Sequence, residues 1–89
     1  MKAILTVVGN DKVGIFAKVS QKLMEENINI LDVSQTILGT NFTMMMLIDM
    51  GGISSDFSQI QTDLSQLGED LSLRISLQRE DIFNAMHQL

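Results

Sequence analysis

The run Leu71 to Arg79, LSLRISLQR, has a period of two: Leu71, Leu73, Ile75 and Leu77 are aliphatic, and Ser72, Arg74, Ser76 and Gln78 between them are polar. Only an extended chain sends successive side chains to opposite faces, so this segment reads as a strand with one buried and one wet face. A lone strand has no stable partner for its backbone, and the rest of the chain must supply a sheet.

Three further runs do so. Lys2 to Val8 is rich in β-branched and aliphatic residues and is bounded by Gly9, which predicts a first strand. Asn29 to Leu38 and Asn41 to Met50 are apolar-rich and are joined by Gly39 and Thr40, the pattern of an antiparallel hairpin with a two-residue connection. Between the strands the period changes. Ile15, Val19 and Leu23 fall at i, i+4 and i+8, with Phe16 joining Leu23 at i+7, which predicts a helix ending near Asn27. After a turn cluster from Gly51 to Ser55, the residues Phe57, Ile60, Leu64 and Leu67 recur at spacings of three and four. This second helix is expected to be capped by Ser54 or Ser55 and ended by Gly68. In the last ten residues Ile82, Phe83 and Met86 share one side of a short helix, whose start the acidic pair Glu80 and Asp81 favours.

The order is strand, helix, strand, strand, helix, strand, in two similar halves within a single domain spanning residues 1–89. Right-handed crossovers turn that order into an α+β, ferredoxin-like βαββαβ sandwich. It has a four-stranded antiparallel sheet, two helices on one face and a short C-terminal helix. The first and third strands belong in the middle, and both are apolar on two faces: Ile4 and Val8 oppose Leu5 and Val7, and FTMMMLIDM is nearly continuous. The face without helices then carries part of the Met44 to Met50 run together with Ile4 and Val8. Monomers seldom leave such a patch in water. Either the C-terminal segment folds over it or a second subunit does, in a homodimer built on the sheet face or the sheet edge. Methionines 44, 45, 46 and 50 are adaptable filler for core and interface.

Composition removes several classes of function. Six basic and eleven acidic side chains give a net charge of -5, so binding a phosphate backbone would work against the overall field. The chain has no Trp or Tyr and four Phe, little on which to stack bases. No nucleic-acid partner is expected. The absence of cysteine excludes thiolate chemistry and Cys-based metal sites, and one histidine builds no cluster. Asp11, Asp32 and Asp49 have no metal-site spacing, and no metal or cofactor is expected. The opening MKAILTVVG is too brief for a secretory or membrane-spanning segment, so no membrane association and a cytoplasmic location are expected.

GNDKVGIF, Gly9 to Phe16, lies where the first strand passes into the first helix and holds two of the six glycines. A loop feeding a helix N-terminus exposes N–H groups without intrahelical partners, and the helix dipole adds partial positive charge, so a carboxylate is welcome there. Gly14 lets a ligand approach the backbone closely, and Gly9 lets the chain turn. A plainer reading is available: Asp11 caps the helix, Asn10 forms the turn and Lys12 is solvated.

The stretch VVGNDKVGIFAKVSQKLMEENINILDVSQT resembles the ACT domain, a small-molecule sensing module often attached to enzymes of amino-acid metabolism. Asn29, Ile30 and Asp32, following Glu25, Glu26 and Asn27, are similar to that family's passage from helix to strand. The closing IFNAMHQL looks like the tail of its small stand-alone bacterial form, the UPF0237-like group, and the resemblance covers essentially the whole chain. It implies a non-enzymatic regulatory module with an amino acid or similar ligand held between the first loop and a neighbouring subunit. On this sequence the ligand residues would be Gly9, Asn10, Asp11, Val13, Gly14 and Ile15, with Asp11 facing the ammonium group and N–H groups from Val13 to Ile15 facing the carboxylate.

Two other readings compete. A protein-interaction adaptor would use the Met-rich sheet face or the C-terminal helix. An acylphosphatase-like enzyme is the more distant, since GNDKVGIF faintly resembles that family's phosphate loop. Its chemistry needs a guanidinium fork beside the loop, and this chain has arginine only at Arg74 and Arg79, with Lys18 near the required place. The lone His87 reads as a surface or helix-capping side chain.

Overall fold

The computed structural model describes residues 1–10, 14–51 and 56–86. Its elements run β1 (Lys2–Asn10), α1 (Ile15–Glu25), β2 (Asn29–Leu38), β3 (Asn41–Asp49), α2 (Phe57–Leu71), β4 (Arg74–Arg79) and α3 (Glu80–Met86). The four strands form one antiparallel sheet in the order β2-β3-β1-β4. This is the ferredoxin-like arrangement, with the first and third strands in the middle.

Parity along the strands sorts the side chains. In β1 the odd positions Ala3, Leu5 and Val7 are fully buried, and in β3 the even positions Phe42, Met44, Met46 and Ile48 are buried with them. Register joins the two sets, since Leu5 stands opposite Met46 and Leu77. Ile15, Val19 and Leu23 of α1 and Ile60 and Leu64 of α2 complete this core. Both helices therefore cover one face. The methionine run divides accordingly: Met44 and Met46 enter the core, while Met45 lies half-buried on the opposite face beside Leu47 and Ile4. Met50 is also buried, and its N–H donates to the Met1 carbonyl at 2.8 Å.

The hairpin turns through Gly39 at φ 65°, between the paired Leu38 and Asn41. β2 carries a bulge between Ile30 and Asp32, which puts Leu31 outside the pairing. α1 closes at Glu26, and Asn27 follows in the left-handed region at φ 61°.

Several local expectations need correction. Phe16 is 43% exposed, because it lies one residue, about 100° of helix, away from the buried Ile15–Val19–Leu23 stripe. Ser54 and Ser55 lie outside the described residues. The N-cap of α2 is Asp56, whose carboxylate accepts the Gln59 N–H at 2.8 Å. Gly68 does not end α2, which continues to Leu71 and closes on Ser72 at φ 58°. The backbone there satisfies itself: Ser72 N–H donates to Glu69 O at 3.2 Å and Leu73 N–H to Gly68 O at 2.7 Å. Leu71 consequently belongs to the helix, and the alternating strand begins at Arg74 with Ile75 and Leu77 buried.

Losing the Asp56 cap should be measurable. Asp56→Ala is expected to cost about 1 kcal/mol, lowering the thermal midpoint by roughly 4 to 8 °C. Asp56→Asn should recover most of the loss. An unchanged midpoint for Asp56→Ala would remove this cap from the account of α2.

α3 follows β4 without a linker and lies against β1 and β4. Gln78, which is opposite Ile4 and so on the face away from α1 and α2, donates through Nε2 to Met86 Sδ at 3.4 Å. The C-terminal segment thus covers the β1–β4 half of the second face. None of its residues is buried, and Ile82 and Met86 remain exposed. Glu80 and Asp81 form the acidic first turn of α3, and Asp81 accepts from the Ile82 N–H at 2.9 Å and from Arg79 at 3.1 Å.

Candidate functional site

The junction of β1 and α1 is built from two glycines with different tasks. Gly9 lies inside β1, opposite Phe42, and does not turn the chain. A Cβ at this position would run into Leu73 Cδ2. Gly9 is small so that Leu73 can cover the end of the sheet. Asn10 ends the strand opposite Asn41.

Gly14 is the N-cap of α1 and sits at φ 84°, a left-handed conformation that favours glycine. Among the described residues, its chain neighbours apart, no atom stands within 4 Å of where its Cβ would be. Packing therefore does not require glycine here, whereas backbone conformation does. An N-cap glycine offers no side-chain oxygen to the helix, and the first turn of α1 contains no acidic residue. Helix geometry leaves the N–H groups of the first turn without intrahelical partners, and the first ladder bond is the one from Lys18 N–H to Gly14 O at 3.0 Å. The Ile15 side chain is buried in the core, so only its backbone faces the junction.

Of the six residues expected to hold a ligand, four are described: Gly9 and Asn10 end β1, Gly14 is the N-cap of α1 and Ile15 its first residue. Asp11 and Val13 lie outside the described residues, as do Lys12 and His87. Asp11 was the expected cap in the plainer reading of the loop, but the N-cap position belongs to Gly14.

Other carboxylates serve the local backbone. Asp32 accepts from Val33 N–H at 2.9 Å and Asp49 from Gly51 N–H at 3.0 Å. Lys18, the cation considered for a phosphate-binding loop, lines a groove between the helices with Lys22, Glu25 and Leu67. Among the described residues no three acidic or histidine side chains gather as a metal site. No described helix is long and apolar enough to cross a membrane.

Two features escaped the sequence. One is an open, largely apolar groove of about 510 Å³ between α1 and β2, lined by Ala17, Ser20, Met24, Ile28 and Ile30. The other is the Gln61 side chain, whose Nε2 donates to the backbone carbonyl of Leu77 on β4 at 2.8 Å. Neither has a motif, since each depends on how a helix lies against a strand.

The fold and the glycine-bearing β1–α1 junction define an ACT-type domain, and the chain belongs to the ACT domain family, whose pattern it matches over residues 2–78. Across its full length it is 56% identical to the UPF0237 protein of Listeria innocua, with both chains wholly covered. Among solved structures it is similar to an ACT domain protein from Streptococcus pneumoniae, with 43% identity, 93% of each chain covered and a TM-score of 0.82. The regulatory subunit of aspartate kinase from Thermus thermophilus shares the fold at 22% identity and a TM-score of 0.67, with 86% of this chain matching 50% of that one.

Proposed function

We propose that this chain is a single-domain, non-enzymatic regulatory module that binds a small carboxylate-bearing molecule, an amino acid above all, at the N-terminus of α1. The reading includes a homodimer in the cytoplasm. The observation that carries it is Gly14: an N-cap with no side chain, in open space, heading an eleven-residue helix whose first turn has no acidic residue to offset its dipole. A ligand carboxylate supplies the missing negative charge. Asn10 and the backbone of Gly14 border the site, Val13 to Ile15 supply N–H groups to the ligand carboxylate, and Asp11 pairs with the ligand ammonium group. Gly9 contributes by letting Leu73 close the sheet beneath it. The regulatory role draws support from the Thermus thermophilus neighbour, a regulatory subunit.

The test is a thermal-shift screen against the twenty amino acids and related carboxylates. A ligand at 100 times its Kd adds about 2.7 kcal/mol, and each kcal/mol moves the midpoint of a domain this size by roughly 4 to 8 °C. One chemical class is expected to raise the midpoint by more than about 10 °C, with the shift lost in Asp11→Ala. A flat screen across the whole set would overturn the ligand reading. The exposed Ile82 and Met86 on α3 favour the adaptor as the second reading. In that case only a protein partner would shift the midpoint.

A further inference from the structure

The ladder between β1 and β4 stops short of the candidate site. It runs from Ala3 opposite Arg79 to Val8 opposite Arg74, and β1 continues for two more residues, Gly9 and Asn10, which pair with β3 alone, opposite Phe42 and Asn41. One step further along the same register, Leu73 stands where a strand partner of Gly9 would stand. Its side chain takes over the contact. A Cβ built on Gly9 would run into Leu73 Cδ2 and lie 3.7 Å from Leu73 Cα. Leu73 is buried and shares the core with Phe42 and with Ile15, the first residue of α1.

The backbone of Leu73 is held from the other side. Its N–H donates to Gly68 O at 2.7 Å, across Ser72 in the left-handed conformation. Its carbonyl oxygen is packed on Gly68, close enough to stand 2.8 Å from a Cβ placed there. One residue therefore joins the C-terminal turn of α2 to the last residues of β1.

We infer that Leu73 is a positioning residue for the candidate ligand site, locking Gly9, and with it Asn10, to the corner where α2 passes into β4. The inference rests on the ligand reading proposed above and deepens it, since Leu73 acts without touching the ligand. A strand end held by a single ladder opens locally, and a ligand that has to order its own binding groups loses affinity. Leu73 orders this end in advance. Gly9 is its counterpart: a side chain at that position displaces the tip of Leu73 from its seat.

The experiment uses the full chain and two readouts, the rise in thermal midpoint caused by an equimolar mixture of the twenty amino acids, and amide hydrogen exchange by NMR without ligand. The mixture is expected to raise the wild-type midpoint by more than about 10 °C. Leu73→Ala should weaken binding by about tenfold and so lose roughly half of that rise, because the gain follows the logarithm of ligand concentration over Kd. Leu73→Met, which conserves volume, should keep it. The control is Leu77→Ala, an equal truncation in the middle of β4, opposite Leu5. It should lower the midpoint and leave the rise caused by the mixture unchanged. In the exchange arm, the Gly9 and Asn10 amides should exchange faster in Leu73→Ala and at the wild-type rate in Leu77→Ala. Should Leu73→Ala fail to fold, Leu73→Val makes the smaller truncation. A rise in the Leu73 variant equal to that of the wild type, or exchange at Gly9 and Asn10 that responds alike to the two truncations, would overturn the role of Leu73. A wild type that ignores the mixture would overturn the ligand reading alone, and exchange would then decide whether Leu73 holds the end of β1.

Discussion

Leu5→Ala is expected to lower the stability of this domain by about 2 to 5 kcal/mol. Leu5 is fully buried in the central strand β1, level with Met46 on one side and Leu77 on the other. Truncation removes the transfer free energy of three carbons, and neighbours held by two ladders cannot relax into the cavity. A chain of 89 residues has a total stability of roughly 4 to 13 kcal/mol, so the loss is a large fraction of the whole. Urea titration would show it as a midpoint falling by about 2 M or more, given a slope of roughly 1 kcal/mol per M for a small protein. The comparison is Val8→Ala, three residues along the same strand on the half-open face, where the change should stay within about 1 kcal/mol. Equal losses at the two positions would mean that the two faces of β1 have been assigned wrongly.

Gly68→Val is expected to cost about 3 kcal/mol. Gly68 lies within α2, where a better helix former would ordinarily add about 1 kcal/mol. The tertiary contact outweighs that gain. A Cβ at Gly68 would stand 2.8 Å from the Leu73 carbonyl and 3.3 Å from the Ile75 N–H, both main-chain atoms, and 3.1 Å from Ile75 Cγ1. A side-chain tip can rotate away, but these backbone atoms move only if β4 moves. The same titration serves. A Gly68→Val chain as stable as the wild type would show that α2 and β4 separate at little cost. At Gly9, by comparison, the obstacle is the tip of Leu73, so a substitution there has an escape that Gly68 lacks.

Period located the fourth strand and both long helices, because period is a local property, and apolar runs bounded by turn residues located the other three strands. Two residues alternate in a strand and three or four separate neighbours on a helix, whatever the rest of the chain does. Boundaries were less legible where one residue type has several uses. Gly68 in QLGEDL looked like a helix stop, and the helix passes through it because β4 needs the room. Gly9 looked like a turn, and it is a strand residue making space for Leu73, sixty-four positions further on. Ser54 and Ser55 were attractive caps by type, yet Asp56 holds the cap, one step nearer the first apolar residue of α2. At the candidate site the sequence picked out Gly14 as a place for close approach to the backbone, and what the structure adds is its conformation, a left-handed N-cap.

Residue order alone settled the kinds of elements, their succession and the two-layer fold. A β-α-β unit repeated twice with right-handed crossovers has few ways to bury its apolar stripes. Only the tertiary structure decided what depends on residues far apart in the chain: that Met44 and Met46 are core while Met45 is not, that α3 lies against β1 and β4, and that the Gln61 side chain of α2 donates to the Leu77 carbonyl of β4. Those distinctions arise from register and from how a helix lies across a strand, and neither leaves a period in the sequence.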